Sequence, residues 1–231
     1  MNDEALLGGG ARRNVLLVEG SDDRHVFKSL LGYHHVACVF RGQPEYDQIP
    51  LELIEIIDRE GIDRLLETLE VVLIASGERR VGIVVDADTD LAARWQSLRN
   101  KLIEFGYNTV PMNAGHEGTI LQQEGLPIVG IWIMPDNLVA GRLEDFLRFL
   151  IPSNDLLWPM AENIVEQVIV TDRRFPEEHK SKALIHTWLA WQRKPGRPMG
   201  IAITARYLDP TAPHAQQLIN WLRRLFELES L

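Results

Sequence analysis

Continuous apolar runs alternate in the first half of the chain with segments whose apolar residues recur every three or four positions. The runs at 14–19, 36–40, 81–85 and 129–133 are typical of strands that are buried on both faces of a parallel sheet. The segment at 62–74 instead has the spacing of an amphipathic helix. This alternation predicts an α/β fold with a mostly parallel sheet of about four strands, flanked by helices.

Residues at the ends of these segments indicate where helices begin and end. Ser21 is predicted to be the N-cap of the helix after the first strand, with Asp22 and Asp23 in its first turn. A polar, turn-rich stretch at 41–44 follows the second strand. The helix after the third strand is expected to stop at Gly106, because glycine readily adopts the backbone conformation that closes many helices.

The pattern changes after residue 135, where helical spacing predominates and prolines become frequent. Helices are predicted at 143–150, 155–168, 177–191 and 215–228. We therefore divide the chain into an α/β core at 1–135 and a helical C-terminal extension at 136–231. The extension is expected to pack on the core as a small subdomain.

The composition is that of an ordinary globular protein, with 231 residues, of which 45% are hydrophobic and 25% are charged. The acidic start is unlike a secretory signal, and the longest apolar run, at 128–134, is too short to cross a bilayer. A cytoplasmic protein with no membrane partner is therefore expected. The net charge of −9 argues against a nonspecific coat on nucleic acid, but a metal-binding cluster of acids in a nuclease would contribute to it.

Carboxylates directly follow two of the predicted strands. Glu19 ends the first strand, and Asp86, Asp88 and Asp90 follow the third. Neighbouring parallel strands end at one edge of a sheet, where ligands gather in this class of fold. Asp86 and Asp88 should point the same way if the backbone is extended, whereas Asp90 is expected to cap the next helix. Such oxygen-rich clusters suit hard cations and predict Mg²⁺ or Mn²⁺ as the cofactor.

These residues carry a resemblance to a known domain. Val18-Glu19-Gly20 followed by Asp86-Ala87-Asp88, each at the end of an apolar strand, resembles the Toprim domain of topoisomerases, primases and OLD-family nucleases. The resemblance covers about residues 13 to 135 and implies a Toprim-like core there. Segments 130–137 and 186–191 also make the whole chain similar to a small stand-alone Toprim-like family of unknown function.

The resemblance implies roles for the matching residues. Glu19 would be the general acid and base or a metal ligand, and Asp86 and Asp88 would be metal ligands. In OLD-type nucleases a second acid follows the glutamate by four residues, and here Asp23 stands at that position. Those nucleases also use a later acid on a helix, which implies that Glu144 is a further metal ligand.

A downstream lysine stabilises the transition state in those nucleases, and either Lys180 or Lys182 could serve here. Lys182 is favoured, because it precedes an apolar run and is expected to face inward. The basic residues at 173–182 and 193–197 either hold a phosphate backbone or form a solvated helix face. The chain has no phosphate-binding loop, so it is expected to have no ATPase site of its own.

The leading hypothesis is a Toprim-type nuclease that cleaves DNA or RNA phosphodiesters with Mg²⁺ or Mn²⁺. The main alternative is a non-catalytic subunit that binds nucleic acid or protein in a larger complex, beside a separate ATPase. Trp188 and Trp191 motivate this alternative, although they are more typical of core packing. A phosphatase of the haloacid-dehalogenase type is disfavoured, because Asp90 stands where that family has threonine. A protein partner and a homodimer are left open.

Overall fold

A computed structural model describes residues 14–40, 53–77, 79–168 and 171–228, so the predicted turn-rich stretch at 41–44 lies outside it. The strands in these ranges are β1 (Asn14–Val18), β2 (Cys38–Val39), β3 (Ile54–Asp58), β4 (Arg80–Asp86), β5 (Thr119–Leu121) and β6 (Ile128–Met134). The α-helices are α1 (Ser21–Tyr33), α2 (Ile62–Ser76), α3 (Leu91–Phe105), α4 (Leu143–Phe149), α5 (Leu157–Gln167), α6 (Lys180–Ala190), α7 (Met199–Thr204) and α8 (Pro213–Phe226). None of these helices is long and apolar enough to span a bilayer.

The strands form one sheet in the order β2-β3-β1-β4-β6-β5, in which β5 runs antiparallel to β6 and the other pairs are parallel. Side chains of β1 alternate between the faces: Leu16 and Val18 join one core, and Val15 and Leu17 join the other. α2 and α3 cover the second core, whereas α1 and α4 to α8 cover the first. The predicted α/β class is confirmed, and burial of both faces explains the continuous apolar runs.

The sheet has six strands instead of about four, because β3 and β5 were not predicted. β3 pairs with β1 from Asn14 opposite Ile54 onward, and it separates β1 from β2. Acidic residues, Glu55 and Asp58, interrupt its isoleucines, so its sequence is not a continuous apolar run. β3 is a strand because it pairs in parallel with β1 on one side and with β2 on the other, and not because of its own hydrophobic pattern. β5 has three residues and α7 has six, too few for a distinctive pattern.

The ends of two helices test the predicted caps. The prediction that Ser21 is the N-cap of α1 is wrong, because α1 begins at Ser21 and Gly20 is the N-cap. Oδ2 of Asp23 accepts a hydrogen bond from the backbone N–H of Gly20 at 3.1 Å and so closes the first turn. The cap of α3 is confirmed, since Oδ1 of Asp90 accepts from the N–H of Ala93 at 2.9 Å. α3 stops before Gly106, as predicted.

The C-terminal helices share a hydrophobic core with the sheet. Leu222 of α8 belongs to the same buried cluster as Leu16 of β1. Trp188 of α6 is fully buried, and its Nε1 donates a hydrogen bond to Oδ1 of Asp155 at 3.0 Å, which confirms core packing for this residue. Trp191 is 38% exposed. The division of the chain at residue 135 stays a prediction.

A pair of glycines allows α8 to approach the sheet closely. Gly82 and Gly130 lie opposite each other in β4 and β6, and a Cβ atom at Gly130 would lie 2.5 Å from Cδ2 of Leu225. We expect Gly130→Ala to lower the free energy of unfolding by about 1–3 kcal/mol, because the added methyl group overpacks the core. Urea denaturation measures this change.

Gly32→Ala in α1 is the matched control for the glycine substitution. A Cβ atom at Gly32 meets none of the described atoms outside the backbone of its own helix within 4 Å. Alanine there should be neutral or slightly stabilising, because it favours helix more than glycine does. Equal losses of stability in the two variants would contradict the role of Gly130 in close packing.

Candidate active site

The carboxyl ends of β1 and β4 border a cleft of about 480 Å³. The two strands are hydrogen-bonded neighbours, as the convergence of their acids requires. Residues at the starts of α1, α4 and α6 form the other walls. The structure brings together in this cleft all the residues that were predicted for the site, which are Glu19, Asp23, Asp86, Asp88, Glu144 and Lys182.

Backbone N–H groups hold two of the carboxylates in place. Oε1 of Glu19 accepts a hydrogen bond from the N–H of Asp86 at 2.8 Å, and Oδ1 of Asp86 accepts one from the N–H of Leu143 at 3.0 Å. These two bonds connect the ends of β1 and β4 with the start of α4. In the described part of the chain, no protein group donates a hydrogen bond to Oε2 of Glu19 or to Oδ2 of Asp86.

Two further carboxylates reach the cleft from the starts of helices. Asp23 belongs to the first turn of α1 and Glu144 to the first turn of α4. Both residues are buried, with 7% and 8% of their surface exposed. The neighbour of Glu144 does not share its role, because Oδ2 of Asp145 accepts a hydrogen bond from the N–H of Arg142 at 2.9 Å and caps α4.

Burial and mutual repulsion raise the pKa values of the acids in this cluster. Burial is the main cause for Glu19, Asp23 and Asp86, because a charged carboxylate loses its hydration there. The charge of Glu19 adds to this effect at Asp23, whose pKa is raised to about 7. The pKa of Asp86 is raised well above its usual range, since the charges of Asp23 and Glu19 add to burial. Near neutral pH the cluster therefore needs protons or a cation to compensate its charge.

Asp88 differs from the other acids, because two arginines hold its side chain. Its Oδ2 lies 2.6 Å from Nη2 of Arg94, and its Oδ1 lies 2.7 Å from Nε of Arg142. The backbone at Asp88 is left-handed, with φ of 54°, and its N–H donates to the carbonyl oxygen of Gly141 at 2.9 Å. The expectation that Asp86 and Asp88 point the same way assumed an extended backbone, which the structure does not have at Asp88, although both residues line the cleft. The role of Asp88 as a metal ligand stays a prediction.

Sequence analysis did not identify Arg94 and Arg142 as site residues. Arg94 follows the helix cap Asp90 by one turn, so its position next to the aspartate loop could have been found from helical spacing. Its Nε also donates to the carbonyl oxygen of Asp86 at 2.7 Å. Arg142 lines the cleft from the start of α4, and no spacing in the sequence relates it to Asp88.

Lys182 lies at the rim of the cleft. Its side chain is 51% exposed, and its Nζ is 3.8 Å from Oε1 of Glu144. The expectation that Lys182 faces inward is wrong, because its side chain stays half-exposed, whereas Ile185 of the same helix is buried in the core. His179, which belongs to the basic region at 173–182, lines the same cleft.

Two of the other basic residues near the cleft are paired with acids. Lys180 forms an ion pair with Glu166, and Arg173 forms one with Glu177 at 2.5 Å. Such pairs at a solvated surface contribute little to binding, since water and salt screen them. For these two residues the structure favours ion pairing within the protein over a phosphate-binding surface.

The donor atoms in the cleft fit a hard divalent cation. Carboxylate oxygens are the ligands that Mg²⁺ and Mn²⁺ prefer. After burial, the charges of Asp23, Glu19 and Glu144 raise the pKa of Asp86, so the ionised cluster lacks compensating positive charge at this residue. Across the described ranges, no three His, Cys, Asp or Glu side chains are already arranged as a metal site. The fit therefore rests on the chemistry of the donors and on their charge.

The match to a known protein family extends over nearly the whole chain. A family model described as a protein of unknown function, DUF3226, matches residues 13–227. The chain belongs to this family. No curated protein and no solved structure matches it significantly. Membership in a family of unknown function is thus confirmed, whereas the relationship to the Toprim domain and to OLD-family nucleases stays a prediction.

A larger cavity in this DUF3226 family member lies between α1 and α7 and has a volume of about 680 Å³. Its walls are mainly apolar and include Tyr33, Ile201 and Ile203, together with the basic residues Lys28 and Arg206. Among the described residues, no carboxylate lines this cavity. Of the two cavities, the acidic cleft holds the groups for acid–base or metal chemistry.

Proposed function

We propose that the protein is a Mg²⁺- or Mn²⁺-dependent phosphodiesterase of the Toprim type that cleaves nucleic acid. The observation that carries the proposal is a group of carboxylates that enter one cleft from separate elements, namely those of Glu19, Asp23, Asp86 and Glu144. Burial and the charges of neighbouring carboxylates raise the pKa of Asp23 and Asp86, so these two groups need a compensating positive charge when they are ionised. A bound divalent cation would supply this charge and would stabilise the charge that develops on a phosphodiester.

The residues of the cleft would have separate roles. Burial raises the pKa of Glu19, which makes this carboxylate a better proton acceptor than an ordinary glutamate and suits it to proton transfer during cleavage. Lys182, at the rim, would stabilise the negative charge on the phosphate oxygens as the bond to the leaving group breaks. The cation would be held by Asp23, Asp86 and Glu144.

Metal binding and cleavage can be tested together with Asp86→Asn. Asparagine keeps an oxygen that accepts from the N–H of Leu143, so the substitution removes charge with little change of shape. We expect the wild type to bind Mn²⁺ in calorimetry and to cleave plasmid DNA, single-stranded DNA or RNA with Mg²⁺ or Mn²⁺. The affinity of the variant for Mn²⁺ should fall by roughly 10-fold to 100-fold or more, and cleavage should be lost, because the variant lacks a charged ligand.

Asp145→Asn is the control for this experiment. It also removes one negative charge near the cleft, but its oxygen can still cap α4 by accepting from the N–H of Arg142. Mn²⁺ binding and cleavage should equal those of the wild type. The proposal is refuted if the wild type neither binds Mn²⁺ nor cleaves any of these nucleic acids.

A second candidate function is a non-catalytic subunit that binds another protein. Trp188 does not support it, because this side chain is buried in the core. Exposed apolar residues at four-residue spacing along α5 do support it: Leu156, Met160 and Ile164 are 82%, 55% and 48% exposed. Mn²⁺ binding without cleavage of any nucleic acid would favour this function over the nuclease.

A further inference from the structure

We infer that Arg142 binds a phosphate group of the nucleic-acid backbone, and that Asp88 positions Arg142 instead of binding a metal ion. The inference rests on the proposed function, and it assigns the part of the cleft that recognises the substrate. Its basis is the triad that Asp88 forms with Arg94 and Arg142.

Both carboxylate oxygens of Asp88 are engaged. The contact of 2.6 Å with Arg94 is a charge-assisted hydrogen bond, and the contact of 2.7 Å with Arg142 is a close ion pair. A metal ion at Asp88 would have to displace at least one of them. The backbone bridge from Asp88 to Gly141, the residue before Arg142, also fixes the aspartate loop to the start of α4. Main-chain and side-chain contacts therefore hold Asp88 against Arg142.

The two arginines of the triad are used differently. Arg94 contacts the loop twice, through Nη2 to Asp88 and through Nε to the carbonyl oxygen of Asp86, and its side chain is 14% exposed. Arg142 is held through Nε alone and is 25% exposed. In the described ranges its Nη1 and Nη2 have no acceptor, although the residue lines the cleft. A guanidinium that is paired at Nε keeps these two planar donor groups for an acceptor, and their geometry suits phosphate.

The charge of the triad also favours an anion. Two guanidinium groups share one carboxylate, so the triad has a formal charge of +1 beside the carboxylates of the cleft. A phosphodiester that approaches the carboxylates is repelled unless cations compensate it. Arg142 provides a cation that is held in place before the substrate arrives, and the preorganised side chain loses less conformational entropy on binding.

Arg142→Gln tests the phosphate contact. The probes are fluorescent single-stranded DNA and RNA oligonucleotides of one sequence, with Ca²⁺ in place of Mg²⁺ and Mn²⁺ to limit cleavage. We expect the affinity for the oligonucleotide that the wild type binds to fall about tenfold or more, because a charge-assisted bond is lost. The slope of log affinity against log salt should become shallower by about 0.7. Mn²⁺ affinity, measured by calorimetry, should not change.

Arg148→Gln is the matched control, since Arg148 lies on the same helix and pairs with Glu162 at 2.7 Å at the surface. It removes the same charge outside the cleft and should leave oligonucleotide affinity and salt slope unchanged. Equal losses in Arg148→Gln and Arg142→Gln would indicate a general charge effect and would overturn the specific contact.

Asp88→Asn tests the positioning role. This variant should retain Mn²⁺ affinity and lose oligonucleotide affinity. Adding Arg142→Gln to Asp88→Asn should lower oligonucleotide affinity by a smaller factor than Arg142→Gln does in the wild type. Loss of Mn²⁺ binding as large as that of Asp86→Asn would identify Asp88 as a ligand and overturn the role. Thermal unfolding reports whether Asp88→Asn folds; if it does not, Arg142→Gln alone decides the inference.

The outcomes separate the inference from the proposed function. A wild type that binds neither Mn²⁺ nor oligonucleotide would contradict both. A wild type that binds and cleaves, with Arg142→Gln equal to it in affinity and salt slope, would overturn the inference and leave the proposed function intact.

Discussion

Replacing Glu19 by glutamine is expected to slow the cleavage of nucleic acid by roughly 10²–10⁴-fold, because the proton transfer assigned to this carboxylate is lost. Glutamine has nearly the same shape, and its Oε1 can still accept from the N–H of Asp86, a bond of 2.8 Å in the wild type. The fold should therefore persist, and the cost of burying a charge at this position disappears. Single-turnover cleavage of a labelled oligonucleotide with Mn²⁺ measures the rate.

Glu60→Gln is the control for the glutamate substitution. Glu60 also borders the cleft, but its side chain is exposed and pairs with Arg64 at 2.5 Å. This variant should cleave at the wild-type rate. A pH profile of the single-turnover rate should lose one limb in Glu19→Gln only. If Glu19→Gln binds Mn²⁺ and cleaves like the wild type, Glu19 does not transfer the proton.

Asp23→Asn is expected to stabilise the metal-free protein at pH 8 and to have little effect at pH 4. The pKa of Asp23 is raised from the usual 3.8 to about 7, so the folded protein keeps a proton that the unfolded chain has released. At a pH below the pKa that Asp23 has in the unfolded chain, its burial costs no stability. As the pH rises through the pKa that Asp23 has in the folded protein, stability is lost. This shift of the pKa corresponds to a loss of at most about 4 kcal/mol in the free energy of unfolding. Asparagine avoids this loss, and its side-chain oxygen can still accept a hydrogen bond from the N–H of Gly20.

Urea denaturation in the presence of a chelator, at several pH values, measures this difference. Mn²⁺ should reduce the advantage of Asp23→Asn, because the cation stabilises the charged form of the wild-type carboxylate. Asp22→Asn is the control, since Asp22 lies in the same turn of α1 and is exposed. Parallel stability curves for the wild type and Asp23→Asn across this pH range would show that Asp23 does not hold the proton.

Most elements of the core could be predicted from local pattern. The apolar runs of β1, β4 and β6 and the helical spacing of α2 are properties of single segments, and the structure places them where the pattern indicates. β3 could not be found in this way. Its acidic residues break the apolar run, and it is a strand because β1 and β2 pair with it on either side.

The residues of the candidate site also differ in how far local sequence pattern predicts them. The apolar strands and the acids that end them led to the expectation that Glu19 and Asp86 meet at one edge of the sheet. Asp23, Glu144 and Lys182 followed only from a resemblance, since no local spacing connects them with that edge. Arg142 was missed for the same reason, because its contact with Asp88 joins two segments that are distant in the chain.

The sequence by itself determined the α/β class and the position of the first acids, because strand runs and helical spacing are short-range patterns. Only the tertiary structure decided which carboxylates lose their hydration and repel one another, and which one is shared by two arginines. Burial and charge pairing depend on packing between distant segments and on the left-handed turn at Asp88, so one-dimensional patterns do not contain them.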